Sequence, residues 1–380
     1  MYDLLVKGGL LVDPACGINE EKDVAVLGGI VSAVETKIPE SQASRVIDAS
    51  GMIVSPGLID IHTHTALDLV RLSVDPEQAC LLKGSTTVVD AGSTGELNYR
   101  PFSKFVMKTG RTRILAFLNI ESLGMIEFVD LPPSYTDQKW SELLTAFDEV
   151  YAPLFINADN TVKVVQANRD AIIGIKWAHH GLKGLAMARE AADRAGCILM
   201  IEKHHVPETL KYVKKGDIVT HIYLPVADRH GATDFGEFRP EFLDAVKRGV
   251  LLDVGHGKSS FSWKLAELAM KEGLKPDTIS TDLWVGNLHG PVFDMPTTMA
   301  KFLYLGMTLE EVVRASTASP ALAIGRPGEI GTLKPGTGAD IVVFKLQEGR
   351  FPLVDCYGEG RVVSRMFTPT HVVRNGDIVF

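Results

Sequence analysis

Eight short apolar runs, four of them closing on a polar residue, constrain this chain more than any other feature. They are Leu58–Ile61, Thr86–Asp90, Ile114–Leu118, Ile172–Lys176, Ile198–Ile201, Ile218–His221, Val250–Val254 and Thr278–Asp282. The stretches between them carry helical patterning. Between the fourth and fifth, Leu185, Ala188, Ala191, Ala192 and Ala195 recur at the spacing of one helix face. Eight parallel strands with helical crossovers over ~250 residues match the number and size of a (β/α)8 barrel. The expected fold class is therefore α/β, a TIM barrel over residues 55–328.

The two ends of the chain read differently. Residues 2 to 54 alternate like short strands, with Asp13-Pro14 and Gly28-Gly29 as turns. The tail repeats this manner, and Asn375-Gly376 between alternating apolar residues marks a hairpin. Chain termini often lie close in space. A small β-sandwich domain built from residues 1–54 and 329–380 is the expectation.

In a barrel of this kind, catalytic groups project from the C-terminal ends of the strands. Here those positions hold His62 and His64, Lys176, Glu202 or His204, His221, and Asp282. Residues i and i+2 of a strand face the same way, so both imidazoles of His62-Thr63-His64 can reach the mouth. Imidazole nitrogen is a standard zinc ligand. An isolated His-x-His is more often packed or solvated; at the end of a first barrel strand, metal ligation is the better reading. Lys176 ends an apolar strand, where an unpaired ammonium is costly and would repel a neighbouring cation. It fits a metal site only as a carbamate formed with carbon dioxide; a lysine reaching a carboxylate or solvent is the plain alternative. Asp282 alone would suit a helix N-cap. Within this series it suits a general base that orients a water and takes its proton.

Composition narrows the class. A net charge of −8 argues against nucleic acid or an anionic membrane as partner. The four cysteines are scattered without a paired motif, which fits a reducing cytoplasm. The first residues alternate like a strand rather than a secretory leader, and no apolar run reaches the ~18 residues of a membrane span. A soluble, cytoplasmic enzyme acting on a small molecule is expected.

Taken together, these motifs resemble the amidohydrolase superfamily, and within it the dihydroorotase-like deacetylase branch. The resemblance covers nearly the whole chain. Pro56-Gly57-Leu58-Ile59-Asp60-Ile61-His62-Thr63-His64 is similar to the signature first strand, and Gly174-Ile175-Lys176 to the segment bearing a carboxylated lysine. Gly216 to His221, Asp253 to Gly257, Ser280-Thr281-Asp282 and Gly331 to Asp340 are similar to the later motifs. The resemblance implies two divalent ions, zinc or else manganese. His62, His64 and Asp282 would hold one, and His221 with a fifth-strand residue the other, with carboxylated Lys176 between them. It also implies hydrolysis of an acylated amino or hydroxy acid, or ring opening of a cyclic amide, by a chain that associates as a homo-oligomer.

Two positions depart from the pattern. The family's fifth-strand histidine falls on Glu202, with His204 on the same face; the register of the preceding helix favours Glu202. Two residues after Lys176, where the branch often carries an arginine for a substrate carboxylate, this chain has Ala178, followed by His179 and His180. His256 and Arg229 are expected to touch substrate, against the plainer readings of a packed histidine and a solvated loop. Trp177 and Tyr223 are candidates for the pocket lining, though packing is the commoner role; His289 and His371 read as structural or surface residues. The competing functions are a cyclic amidase and a barrel kept only as a scaffold.

Overall fold

The computed structural model describes residues 1–125, 155–178, 182–203, 208–227, 233–234 and 240–380. Both chain ends enter one mixed sheet. It contains β1 (Leu4–Asp13), β2 (Ile18–Leu27), β3 (Ile30–Glu35), β4 (Val46–Asp48) and β5 (Ile53–Pro56) from the N-terminal side. The junction lies at β5, which runs parallel to β1 and antiparallel to the C-terminal strand Ile341–Val354. That pairing sets Ile341 opposite Pro56 and Phe344 opposite Ile53. The apolar alternation read in the termini accordingly faces its own core, with Leu4, Val6, Val24, Val54, Ile341 and Val373 in one cluster. The hairpin at Asn375-Gly376 forms with φ of +53° and +85°, which is the conformation that favours this pair.

The second sheet is wholly parallel. In chain order it comprises β6 (Leu58–Thr63), β7 (Ser85–Ala91), β8 (Arg113–Asn119), β9 (Ile172–Trp177), β10 (Ile198–Glu202) and β11 (Ile218–Thr220). Two short strands, β12 (Val226–Ala227) and β13 (Thr233–Asp234), pair with each other, and β14 (Leu251–Leu252) completes the parallel order among the described residues. Three strands follow at the C-terminal end: β15 (Ile341–Val354), β16 (Gly360–Arg374) and β17 (Asp377–Ile378), all in the mixed sheet. The helix Leu182–Ala195 buries Leu185, Ala188, Ala191, Ala192 and Ala195, the face expected from their spacing.

The eighth run is not a regular strand. Residues 278–283 close the ring through two parallel bridges, Asp253 with Thr278 and Thr63 with Leu283. Between them the side chains are spent on neighbours: Ser280 donates to Asp253 and Thr281 to Asp60. Asp282 then turns out of extended geometry at φ +49°. Closure by bridges rather than a ladder is the cost of placing these polar groups.

A candidate metal centre at the strand ends

His62 and His64 lie at the end of β6, and Asp282 reaches them from the closing segment. Backbone bonds hold the two segments in register: Asp282 N–H donates to His62 O at 2.7 Å, and His64 N–H to Leu283 O at 2.9 Å. His64 Nε2 is 3.0 Å and His62 Nε2 3.4 Å from Asp282 Oδ1. Among the described residues these three form the group whose donor atoms all lie within 4.8 Å of one another.

The other expected residues adjoin this group. Lys176, on β9, is fully buried, with Nζ 3.5 Å from His62 Nε2 and 3.5 Å from Glu202 Oε1. Glu202 ends β10 and lies 3.5 Å from His221 Nε2. A continuous line of donors therefore runs from His64 through Asp282, His62, Lys176 and Glu202 to His221. His204 and Arg229 fall outside the described residues, as do His179 and His180.

Hydrogen bonds behind the imidazoles decide which nitrogen faces the site. Thr220 donates its hydroxyl proton to Asp253 Oδ2 at 2.7 Å, so it accepts from His62 Nδ1 at 2.9 Å. His221 Nδ1 donates to Gly255 O at 2.7 Å. In a neutral ring Nε2 is then the unprotonated nitrogen, directed at the other donors, which is the tautomer a metal ligand needs. His64 Nδ1 meets Ser93 Oγ at 2.9 Å, and Ser93 is itself held by Asp90 through its N–H at 2.8 Å. Burial, helped by the Lys176 charge, depresses the His62 pKa well below the ordinary range, which keeps that ring neutral. For His221, burial lowers the pKa, but the Glu202 hydrogen bond and charge outweigh it and the net direction is upward. His221 also sits at φ +63° and Asp282 at φ +49°, left-handed conformations that non-glycine residues rarely hold. Two such residues in one cluster of polar side chains are characteristic of a site whose geometry is imposed by its surroundings.

Sequence reading missed the supporting residues. Asp253 accepts from Thr220, Thr278 and Ser280 at 2.7, 2.6 and 2.7 Å. Asp60 accepts from Thr281 Oγ1 at 2.6 Å, and burial pushes its carboxyl up to about 7. Their one visible signal was an ionisable residue inside an apolar run, which is costly unless bonded.

Three further candidates lie in the interior. His256 does not open to the mouth. It is fully buried, with Nδ1 3.0 Å from Gly257 O, Nε2 2.7 Å from Lys301 Nζ, and its ring stacked on Phe261 at 4.4 Å. Both nitrogens are occupied by the chain itself. Trp177 and Tyr223 are likewise wholly buried, and Tyr223 packs edge-on against Phe261.

The amidohydrolase family pattern matches residues 53–379. A protein named as a deacetylase in Agrobacterium fabrum is 31% identical over 369 residues, covering 94% of this chain and 86% of its own. Another so named, in Enterococcus faecalis, is 29% identical over 394 aligned residues, covering 99% of each chain. Among solved structures, a dihydroorotase superposes with TM-score 0.85 at 28% identity, covering 100% of this chain and 98% of that one. An adenine deaminase does so with TM-score 0.85 at 28% identity, covering 100% and 99%. With the match spanning the barrel and the return into the terminal sheet, the chain belongs to the amidohydrolase family.

Proposed function

We propose that this enzyme is a metal-dependent hydrolase that removes a short acyl group from an N-acylated or O-acylated small acid. The observation that carries the reading is the meeting of His62, His64 and Asp282 within 4.8 Å, in a chain 31% identical to a named deacetylase. The donor set fits divalent cations: imidazoles with Nε2 turned inward, carboxylates, and a buried lysine between them. His62, His64 and Asp282 would hold one ion, His221 and Glu202 a second, and Lys176, carboxylated on Nζ, would lie between the two. Zinc suits this set, and manganese is compatible with its oxygen donors. The cations, when bound, supply Lewis-acid charge that polarises the acyl carbonyl and acidifies water near neutral pH.

The chain's own residues do the rest. Asp282, held by the His62 carbonyl behind it, takes the proton from a water whose oxygen adds to the acyl carbon. The bond from that carbon to nitrogen or oxygen then breaks, and Asp282 returns the proton to the leaving group. Carboxylation would take two protons from the Lys176 ammonium, one to free the lone pair that bonds carbon dioxide and one from the resulting carbamic acid, so the cation would become an anion beside His62 and Glu202. The division into a catalytic barrel (55–328) and a composite terminal domain (1–54 with 329–380), a cytoplasmic location and a homo-oligomeric assembly belong to the same reading. No helix among the described residues is long and apolar enough to cross a membrane.

A second reading, a cyclic amidase, is favoured by the 0.85 TM-score to the dihydroorotase structure. The test is one panel offered to zinc- or manganese-loaded protein: N-acetyl amino acids of both hands, acetylated hydroxy acids and cyclic ureides. Acetate release is expected. Ring opening would transfer the protein to the second reading, and silence with metal bound would overturn both substrate classes.

A further inference from the structure

The helix Met295–Tyr304 carries a lysine, Lys301, that reaches no solvent. Its Nζ meets three acceptors: His256 Nε2 at 2.7 Å, Val354 O at 2.8 Å and Pro291 O at 3.2 Å. The rings of Phe261 and Trp263 lie 5.1 and 5.4 Å away. Burying a polar group is costly unless its bonds are satisfied, and here they are satisfied by one histidine and two backbone carbonyls.

The direction of the bond to His256 follows from the other side of the ring. Gly257 O can only accept, so His256 Nδ1 carries the proton across their 3.0 Å contact. Nε2 of the neutral ring is then an acceptor, and Lys301 donates to it.

His256 is the middle of a Gly-His-Gly turn whose two ends touch the candidate metal centre. At one end, Gly255 O accepts from His221 Nδ1 at 2.7 Å and fixes that ring's tautomer. At the other, Gly257 lies so close to the carboxylate of Asp282 that a Cβ on it would stand 2.5 Å from Oδ2. Both glycines have positive φ, +47° and +58°. Glycines in such a turn leave the backbone soft, and the side chain anchored between them is His256.

We propose that Lys301 is a positioning residue: through His256 it holds the Gly255–Gly257 turn, and thereby the orientation of His221 and Asp282, for cation binding. This rests on the reading of His221 and Asp282 as ligands. Lys301 itself touches neither of them and is assigned no part in the chemistry.

The experiment uses the full-length chain, stripped of metal and titrated with Zn2+ against a chelator, together with ring ¹⁵N NMR of its histidines. Lys301→Met, close in volume, is expected to weaken Zn2+ binding by roughly 10-fold, as loss of a partner behind a ligand commonly does. In the same variant, the His221 resonances should move from a single Nδ1–H tautomer to a mixture. His256→Leu should do the same, and the double variant should be no worse than either single one, because the two act in series. Phe367→Leu, a core lesion in the terminal sheet, should lower the melting temperature without moving Zn2+ affinity. Unchanged affinity and unchanged His221 signals in Lys301→Met would overturn the proposal, as would additive losses in the double variant. If Lys301→Met does not fold, His256→Leu decides by the same two readouts. His221→Ala separates the two levels: should it keep parental affinity, the ligand reading itself fails; should it lose affinity while Lys301→Met keeps it, only the positioning role falls.

Discussion

His64 Nε2 lies 3.0 Å from Asp282 Oδ1 across a sequence separation of 218 residues. Neither residue can be placed beside the other by local structure; closure of the barrel brings them together. The His62–Asp282 and His64–Leu283 backbone bonds then hold the contact without help from a continuous strand.

Asp282→Asn keeps an oxygen donor and the side-chain shape but removes the base. It is expected to retain bound cation, measured by elemental analysis, while turnover falls by roughly 10²–10⁴-fold, the usual share of general base catalysis. Retained turnover would remove Asp282 from that role.

Lys176→Ala deletes the buried amine between His62 and Glu202. Metal content and activity should both fall, and millimolar formate or acetate should restore part of each by filling the space with a carboxylate. Cation binding that persists without any response to the added acid would argue against a carbamate at this position.

Thr220 links His62 to Asp253 by accepting from one and donating to the other. Thr220→Val keeps the shape and leaves both partners without that bond. Cation affinity should weaken by roughly 10- to 100-fold, and the melting temperature should drop, because a buried unsatisfied polar group costs about 1–3 kcal/mol. Chelator titration and calorimetry on the variant measure the two effects separately.

Burial raises the Asp277 carboxyl pKa, against the opposing bond it accepts from Leu252 N–H at 2.8 Å. The folded protein therefore keeps this proton to a higher pH than the unfolded chain does. Its contribution to stability is full below the ordinary carboxylate value of about 3.9 and is lost as pH rises through the raised one. Asp277→Asn retains an acceptor for Leu252 and should show a flatter stability profile across that window. Urea midpoints of parent and variant, taken in parallel from pH 4 to 7, check this; identical slopes would contradict it.

The legible part of this protein was periodic or chemically expensive. Runs such as Ile172–Lys176 and Ile218–His221 declared strands because apolar residues bounded by turns satisfy a buried sheet. Polar groups at their ends stood out because burying them demands partners. Asn375-Gly376 declared its hairpin because the pair tolerates positive φ. By itself the sequence thus pointed to the barrel, the strand-built termini, and His62, His64, Lys176, Glu202 or His204, His221 and Asp282 as a candidate set.

Only the tertiary structure decided what surrounds that set. Sequence offers no measure of distance between segments, so it could not show that Thr220 and Asp253 orient His62, or that Gly255 orients His221. Nor could it show that Lys301, on a helix 45 residues further along, claims the Nε2 of His256. His256 illustrates the physical reason. A histidine after a strand end has the same local signature whether it faces substrate or the core. Which it faces depends on whether another part of the chain arrives to take its second nitrogen.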